Sequence, residues 1–261
     1  MNIVVFSKDR AMQLDLFIRS FVRYVGDSSL YTLNILYSYS NHEFRAGYEK
    51  LISNCSENIK FLKEISFKAD LVSLINPNYL YTVFFVDDDV FKMAFDFYDN
   101  QMDIFNKNTD IACRALNLHK DLNHCYTLNI PMPKPQFMTD NVFMWRGLKG
   151  DYGYPMSLDG HIFRTNDIMP YITNINYDGP NILEGLMAKT PLNKSLMICY
   201  DKAIIVNNPI NMVQAVSRNR HGNITAKFLN DKFLAGNVIK LDNFIGLENK
   251  SCHQETQIDF I

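Results

Sequence analysis

The 261-residue sequence has no uncharged apolar run long enough to cross a bilayer, so no membrane-spanning helix is expected. It shows no leader pattern either. Lys8, Asp9 and Arg10 interrupt the N-terminal MNIVVFSKDR after an apolar stretch too short for a signal-peptide core, and a cytoplasmic location is expected. Its five cysteines, at positions 55, 113, 125, 199 and 252, are odd in number and scattered, with no Cys-x-x-Cys spacing. That pattern excludes a disulfide framework and a zinc-ribbon site. There is no Lys/Arg block and the formal charge is −2, so nucleic acid is not expected as a partner. Internal repeats and flexible linkers are also missing. With 47% hydrophobic and 21% charged residues, the composition is that of a globular chain with a substantial core.

What the sequence does contain is alternation. Residues 3–6 form an apolar strand, Ser7–Arg10 a polar turn, and residues 11–24 a helix with Leu14, Phe17, Ile18 and Phe21 at three-and-four spacing. A strand at 33–37, a polar loop at 38–42 and a helix bearing Phe44, Tyr48, Leu51 and Ile52 repeat the unit. A third unit has its strand at 59–62 and a helix from Ser66 through Ile75, stopped at Asn76-Pro77. A strand at 81–86, a helix at 90–105 and a strand at 111–118 follow. Strands alternating with helices predict right-handed βαβ units and a mostly parallel sheet.

After residue 118 the rhythm changes. Residues 119–136 read as a long loop with Pro131, Pro133 and Pro135, and 141–164 as bent strands and loops with four glycines. Pro180 opens a helix over 181–188, 196–206 reads as a hairpin, 224–234 as a late helix and 250–257 as a loose polar tail. One composite domain spanning 1–261 is expected, with halves 1–118 and 119–261.

The stretch 79–91, YLYTVFFVDDDVF, carries the chemistry. An apolar run rich in Val, Phe and Tyr predicts a strand covered on both faces, and it ends in Asp87, Asp88 and Asp89. The carboxyl edge of such a sheet is where ligands bind. Three adjacent acids repel, and a divalent cation with oxygen ligands, Mg²⁺ or Mn²⁺, would relieve them and hold a diphosphate. The plainer alternative is that Asp89 caps a helix beginning at Val90 while Asp87 and Asp88 sit in a solvated turn.

The Ser7–Arg10 turn, the three βα units and the strand ending in Asp87-x-Asp89 together resemble a glycosyltransferase of the GT-A fold, in the broad group typified by family-two enzymes. The resemblance covers most of the chain. It implies an α/β fold with a mostly parallel central sheet, flanking helices and a mixed acceptor-binding second half. It also implies transfer of a hexosyl or N-acetylhexosaminyl group from a nucleotide-sugar to a saccharide or lipid-linked glycan acceptor. Peripheral contact at the inner face of a membrane is compatible with that acceptor class.

Carried over, Asp87 is a nucleotide-side acid and metal ligand, Asp88 lies on the nucleotide side, and Asp89 binds the metal. Phe6, Ser7, Asp9 and Arg10 hold base and ribose, unless Asp9 and Arg10 are simply an ion pair at a helix start. The loop at 38–41 forms the opposite wall of the base pocket. Glu184, in GPNILEGLMAK, is the base of an inverting transfer, although Gly185 stands where a paired acid is usual; Asp178 and Asp159 are the next candidates. His221, in SRNRHG, is the third metal ligand, and Arg218 and Arg220 clamp the diphosphate. Trp145, Tyr152, Tyr154 and Asp159 are acceptor-side candidates, with core packing the alternative for each ring. A nucleotidyltransferase would also gather acids around Mg²⁺, but its phosphate loop is glycine-rich and Ser7–Arg10 has no glycine. A catalytically silent saccharide-binding protein of the same fold is the alternative from outside enzymes.

Overall fold

The computed structural model describes residues 1–139, 141–213 and 220–261. Its first half follows the expected alternation through β1 (Asn2–Lys8), α1 (Ala11–Tyr24), β2 (Leu33–Ser38), α2 (His42–Ser53), β3 (Ile59–Lys63), α3 (Phe67–Leu74) and β4 (Tyr81–Val86). The elements that follow are β5 (Asp89–Phe91), α4 (Asn100–Lys107), β6 (Ile111–His119), β7 (His124–Cys125), β8 (Ile130–Pro131), β9 (Phe137–Thr139) and β10 (Val142–Met144). The chain continues with β11 (His161–Arg164), α5 (Thr165–Asn174), α6 (Pro180–Lys189), β12 (Leu196–Tyr200), β13 (Ile205–Asn207) and α7 (Ala226–Leu234).

Nine strands make one sheet in the order β3-β2-β1-β4-β11-β6-β12-β10-β9. β3, β2, β1 and β4 are mutually parallel, and β6 and β12 are parallel to each other. β11 runs antiparallel between β4 and β6. Strand alternation sends successive side chains to opposite faces. Ile3 and Val5 of β1 therefore join Val83 and Phe85 of β4 under α1, α2, α4 and α7, while Val4, Phe6 and Phe84 pack under α3, α5 and α6. With both faces covered, β4 is apolar without interruption, as the run at 81–86 predicts. Truncating Phe85, which is fully buried, would cost about 3–5 kcal/mol.

Four expectations of local structure are corrected. Residues 90–105 are not one helix: β5 pairs antiparallel with β13 through Asp89↔Asn207, and the helix starts only after Asp99, whose carboxylate accepts the Gln101 N–H. Residues 196–206 are not a hairpin. β12 is buried throughout and pairs with β6, whereas β13 turns away to β5. Within 119–136 the chain forms the small β7–β8 ladder. The tail at 250–257 is docked, with Ser251 and Cys252 buried and the Asn207 and Gln254 N–H groups donating to Cys252 O and Asn207 O. Pairing with β13 satisfies backbone groups that a free tail would leave to water.

Candidate active site

The carboxyl ends of β1, β2, β4 and β6 open onto a cleft of about 780 Å³. Because β11 is antiparallel, it begins where its parallel neighbours end, so the residues leading into it arrive at the same edge. Gly160 makes that entry possible. It sits at φ +70°, its N–H donates to Phe84 O at 2.8 Å, and a Cβ there would lie 2.2 Å from Ile205 Cδ1. Ser157 and Asp159 therefore line the cleft opposite Ser7, Asp87 and Asp88. The start of α6 reaches the same space, with Asp178, Asn181 and Glu184 on the wall.

On the β1/β4 side, Asp87 is buried and fully engaged. Its Oδ1 accepts from Arg10 Nη1 at 2.9 Å, and its Oδ2 from Ser7 Oγ at 2.8 Å and Lys8 N at 3.2 Å. Burial pushes this carboxyl up to about 6 against the pull of Arg10, with Asp88 adding to the rise. Arg10 Nη1 also reaches Asp88 Oδ2 at 3.0 Å, and Nε donates to Asn211 Oδ1 at 2.8 Å. The counter-charge for two of the acids is thus an arginine from the preceding turn, and Arg10 is not paired with Asp9. Asp9 does not line the cleft as expected. It occupies the left-handed region at φ 56°, and its Oδ1 accepts the Ser40 N–H at 2.7 Å, tying the first-strand turn to the loop after β2. Neither Ser7 nor Asp9 caps α1. Tyr48 of α2 completes this side: its hydroxyl lies 2.6 Å from Ser7 Oγ and accepts the Arg10 N–H at 3.2 Å.

Asp89 is wholly buried. Its Oδ2 accepts the Val86 N–H at 3.1 Å and its Oδ1 the Asn207 amide at 3.3 Å. Burial holds its carboxyl well above the ordinary range, and the charges of Asp159 and Asp88 reinforce the shift. The histidine joined to this acidic cluster is His253, delivered by the docked tail. Its Nε2 contacts Asp159 Oδ2 at 2.9 Å, while its buried Nδ1 has no partner among the described residues. Burial draws the imidazole down, but the Asp159 hydrogen bond and charge outweigh it and lift it to about 9.

Glu184 stands half-buried in the cleft wall, its Oε1 accepting from Leu158 N at 2.9 Å and Ser157 Oγ at 3.1 Å. Burial, then the charge of Asp159, pushes it up to about 7. A carboxyl poised there can take a proton from a hydroxyl at neutral pH.

The other sequence candidates divide. Phe6 and Tyr154 line the cleft, and Arg220 lines its rim, stacked 4.5 Å over the Tyr126 ring with Nη1 3.0 Å from Asn129 Oδ1. His221 is exposed on that rim, with Nδ1 2.6 Å from Gly222 O, and is not gathered with Asp87 and Asp89 into a three-residue metal cluster. Trp145 is a correction: it is buried in the core under α5 and α6, donates Nε1–H to Lys194 O at 3.0 Å and does not line the cleft. Tyr152 is likewise core, its hydroxyl bonded to His119 O at 2.6 Å. Arg218 lies outside the described residues.

Asp151, Asn207 and His253, which line the cleft, and Tyr48, which braces Ser7 and Arg10, were not legible in the sequence as parts of this site. Asn207 had a usable signal, because AIIVNN is an apolar strand ending in polar residues, as VFFVDDD is.

No family model matches the chain. The bifunctional glycosyltransferase pgtA of Dictyostelium discoideum is 29% identical over 194 residues, covering 67% of this chain and 25% of its own, so the chain spans a quarter of that relative's length. The crystal structure of S. aureus TarS superposes with a TM-score of 0.51 at 11% identity, covering 78% of this chain and 36% of TarS. S. aureus TarS 1–349 in complex with UDP superposes with a TM-score of 0.50 at 11% identity, covering 78% of this chain and 60% of that one. The fold is thus the α/β fold that the resemblance to GT-A glycosyltransferases implied, and the sequence similarity is to a glycosyltransferase.

Proposed function

We propose that this chain transfers a glycosyl group from a nucleotide-sugar to an acceptor hydroxyl, with a divalent cation at the Asp89 edge and Glu184 as the base of an inverting reaction. The observation that carries the reading is one cleft that joins Asp87 and Asp88, with Asp89 buried directly behind them, to a carboxyl raised to about 7 on the opposite wall. Glycosyl transfer needs both ends: charge stabilisation for a departing diphosphate and proton removal from the incoming oxygen. The similarity to pgtA and the fold shared with a UDP-binding protein support the donor class.

The donor set at this edge suits Mg²⁺ or Mn²⁺. A histidine whose one nitrogen is held by a carboxylate and whose other is buried and free has the arrangement of a metal ligand, and His253 has it through Asp159. Among the described residues no three His, Cys, Asp or Glu side chains already surround a common point. Asp89 would hold the ion, joined by His253 Nδ1 once the ion displaces the imidazolium proton, leaving the remaining positions to diphosphate oxygens and water. A bound ion would supply charge stabilisation for the leaving diphosphate.

The protein's own groups do the rest. Ser7 and Arg10 hold Asp87 in place, so that the β1 and β4 loops form one rigid floor beneath the nucleotide. Phe6, Leu36 and Phe67 offer apolar surface to a base, with Ser38 and Glu64 as polar partners. Arg220, on the rim, is placed to meet phosphate charge. Glu184, with its oxygen fixed by Leu158 N and Ser157 Oγ, takes the acceptor proton, and Tyr154 and Asp159 flank the acceptor. A saccharide or lipid-linked glycan fits this wall. Halves 1–118 and 119–261 act as one unit, since both contribute strands to the nine-stranded sheet.

Calorimetric titration with UDP, GDP and CDP, with and without Mn²⁺, is the direct test. Micromolar binding of one diphosphate that strengthens with Mn²⁺ is expected. No binding by any of them would sink the reading, and donor binding without turnover on any acceptor would leave a silent saccharide-binding protein instead.

A further inference from the structure

We infer that the Asn207 amide oxygen is an acceptor for a hydroxyl of the transferred sugar. This rests on the transferase reading and deepens it. Asn207 ends β13, is 3% exposed and lines the cleft. Its backbone is held on both sides, N–H to Cys252 O at 3.0 Å and O from the Gln254 N–H at 2.9 Å, and by register with Asp89. Its Nδ2 donates to Asp88 Oδ1 at 3.0 Å and Asp89 Oδ1 at 3.3 Å. Two carboxylates on one side settle which way the amide points, since the opposite orientation would set oxygen against oxygen. Oδ1 is therefore turned away from the acids, and it is buried without a partner among the described residues.

A buried acceptor without a donor costs free energy, and in a rigid site a ligand is the natural partner. The identity of that partner follows from the amide's polarity. A cation would be drawn to the carboxylates, which Asn207 meets with its NH₂ group, so Oδ1 is left for a hydrogen-bond donor. The other side-chain atoms of the cleft wall that are buried without a partner among the described residues, Asn211 Nδ2 and Asp151 Oδ2, add a donor and an acceptor. A polyhydroxylated ring, each hydroxyl of which both donates and accepts, matches such a wall better than a planar base or an apolar chain. The sugar lies next to the diphosphate in a nucleotide-sugar, which places it beside Asp88 and Asp89.

The experiment compares binding of the nucleoside diphosphate and of its nucleotide-sugar to the intact protein and to Asn207→Ala. Nucleotide-sugar affinity is expected to fall about tenfold while the diphosphate changes less than about twofold. Monodeoxy nucleotide-sugars tested on the unmutated protein should include one that loses a similar factor, and Asn207→Ala should no longer distinguish it from the parent sugar. Equal losses for diphosphate and nucleotide-sugar would overturn the inference, because Asn207 would then act through Asp88 and Asp89. So would unchanged nucleotide-sugar binding by the variant. If Asn207→Ala does not fold, the monodeoxy series decides alone, and equal affinity across it overturns the inference. Absence of any diphosphate binding to the unmutated protein would instead remove the transferase reading, and this inference with it.

Discussion

The two walls of the cleft are built differently. The β1/β4 wall comes from consecutive βα units, and its polar side chains satisfy one another: Asp87 accepts three hydrogen bonds, from Ser7, Lys8 and Arg10, and Tyr48 contacts Ser7 in turn. The opposite wall is assembled from the turn at Gly150–Gly153, the lead into β11, the start of α6, β13 and the docked tail, segments remote from one another in the chain, and it keeps polar atoms without partners among the described residues at Asp151, Asn207 and His253. A wall already satisfied is preorganised for binding. A wall left unsatisfied is where substrate groups must complete the hydrogen bonding.

Mutations can test that division. The largest effect is expected for Asp89→Ala, at the junction of the walls: metal-dependent turnover should fall about 10³-fold, consistent with several kcal/mol of lost charge stabilisation. Full turnover would remove the junction from the chemistry.

Glu184→Gln should come next, lowering kcat by about 10²–10⁴-fold with donor binding unchanged. In the unmutated protein kcat should rise with pH through about 7, the value to which burial and Asp159 lift this carboxyl. The same shift predicts a stability change of definite sign. The folded protein holds the Glu184 proton more tightly than the unfolded chain, so the group's contribution is full below 4.5 and is lost as pH rises through about 7. Glu184→Gln should therefore raise Tm above neutral pH and leave it unchanged in acid. Loss of donor binding in this variant would blur the two walls.

Asp159→Asn should raise the Mn²⁺ concentration needed for half-maximal turnover by about 10–100-fold, because it loosens His253 without removing it. A turnover curve against Mn²⁺ concentration measures this, and an unchanged half-saturation point would dissociate His253 from the ion. The smallest effect is assigned to Trp145→Phe. Loss of the bond to Lys194 O should cost about 1–2 kcal/mol of stability in denaturant unfolding and leave acceptor KM unchanged. A changed KM would return Trp145 to the acceptor wall.

Legibility followed the same division. The satisfied wall was readable because its residues sit at strand ends marked by local pattern: an apolar run stopped by acids, and a strand stopped by Ser7 and Arg10. Even there, pairing was not readable, and Asp9 proved to brace Ser40 while Arg10 crossed to Asp87 and Asp88. On the other wall Glu184 lines the cleft at the α6 start that Pro180 marks, whereas the histidine the sequence pointed to was His221 and the one set beside Asp159 is His253. His221 stands in an ordinary polar loop and so does His253 by composition; only backbone pairing of the tail with β13 distinguishes them.

Residue type and spacing alone determined the βα succession, the two-sided burial of β4 and the placing of three acids at a sheet edge, since these depend on periodicities of two and 3.6 residues within short windows. The tertiary structure decided the rest. It inserted β11 against the direction of its neighbours, split 196–206 between two ladders, brought Asn207 against Asp89, and turned the polar tail into the segment that carries His253 to Asp159. Those contacts join residues far apart in the chain, and their free energy comes from backbone groups and charges satisfied only after the sheet has formed, which no local window of sequence records.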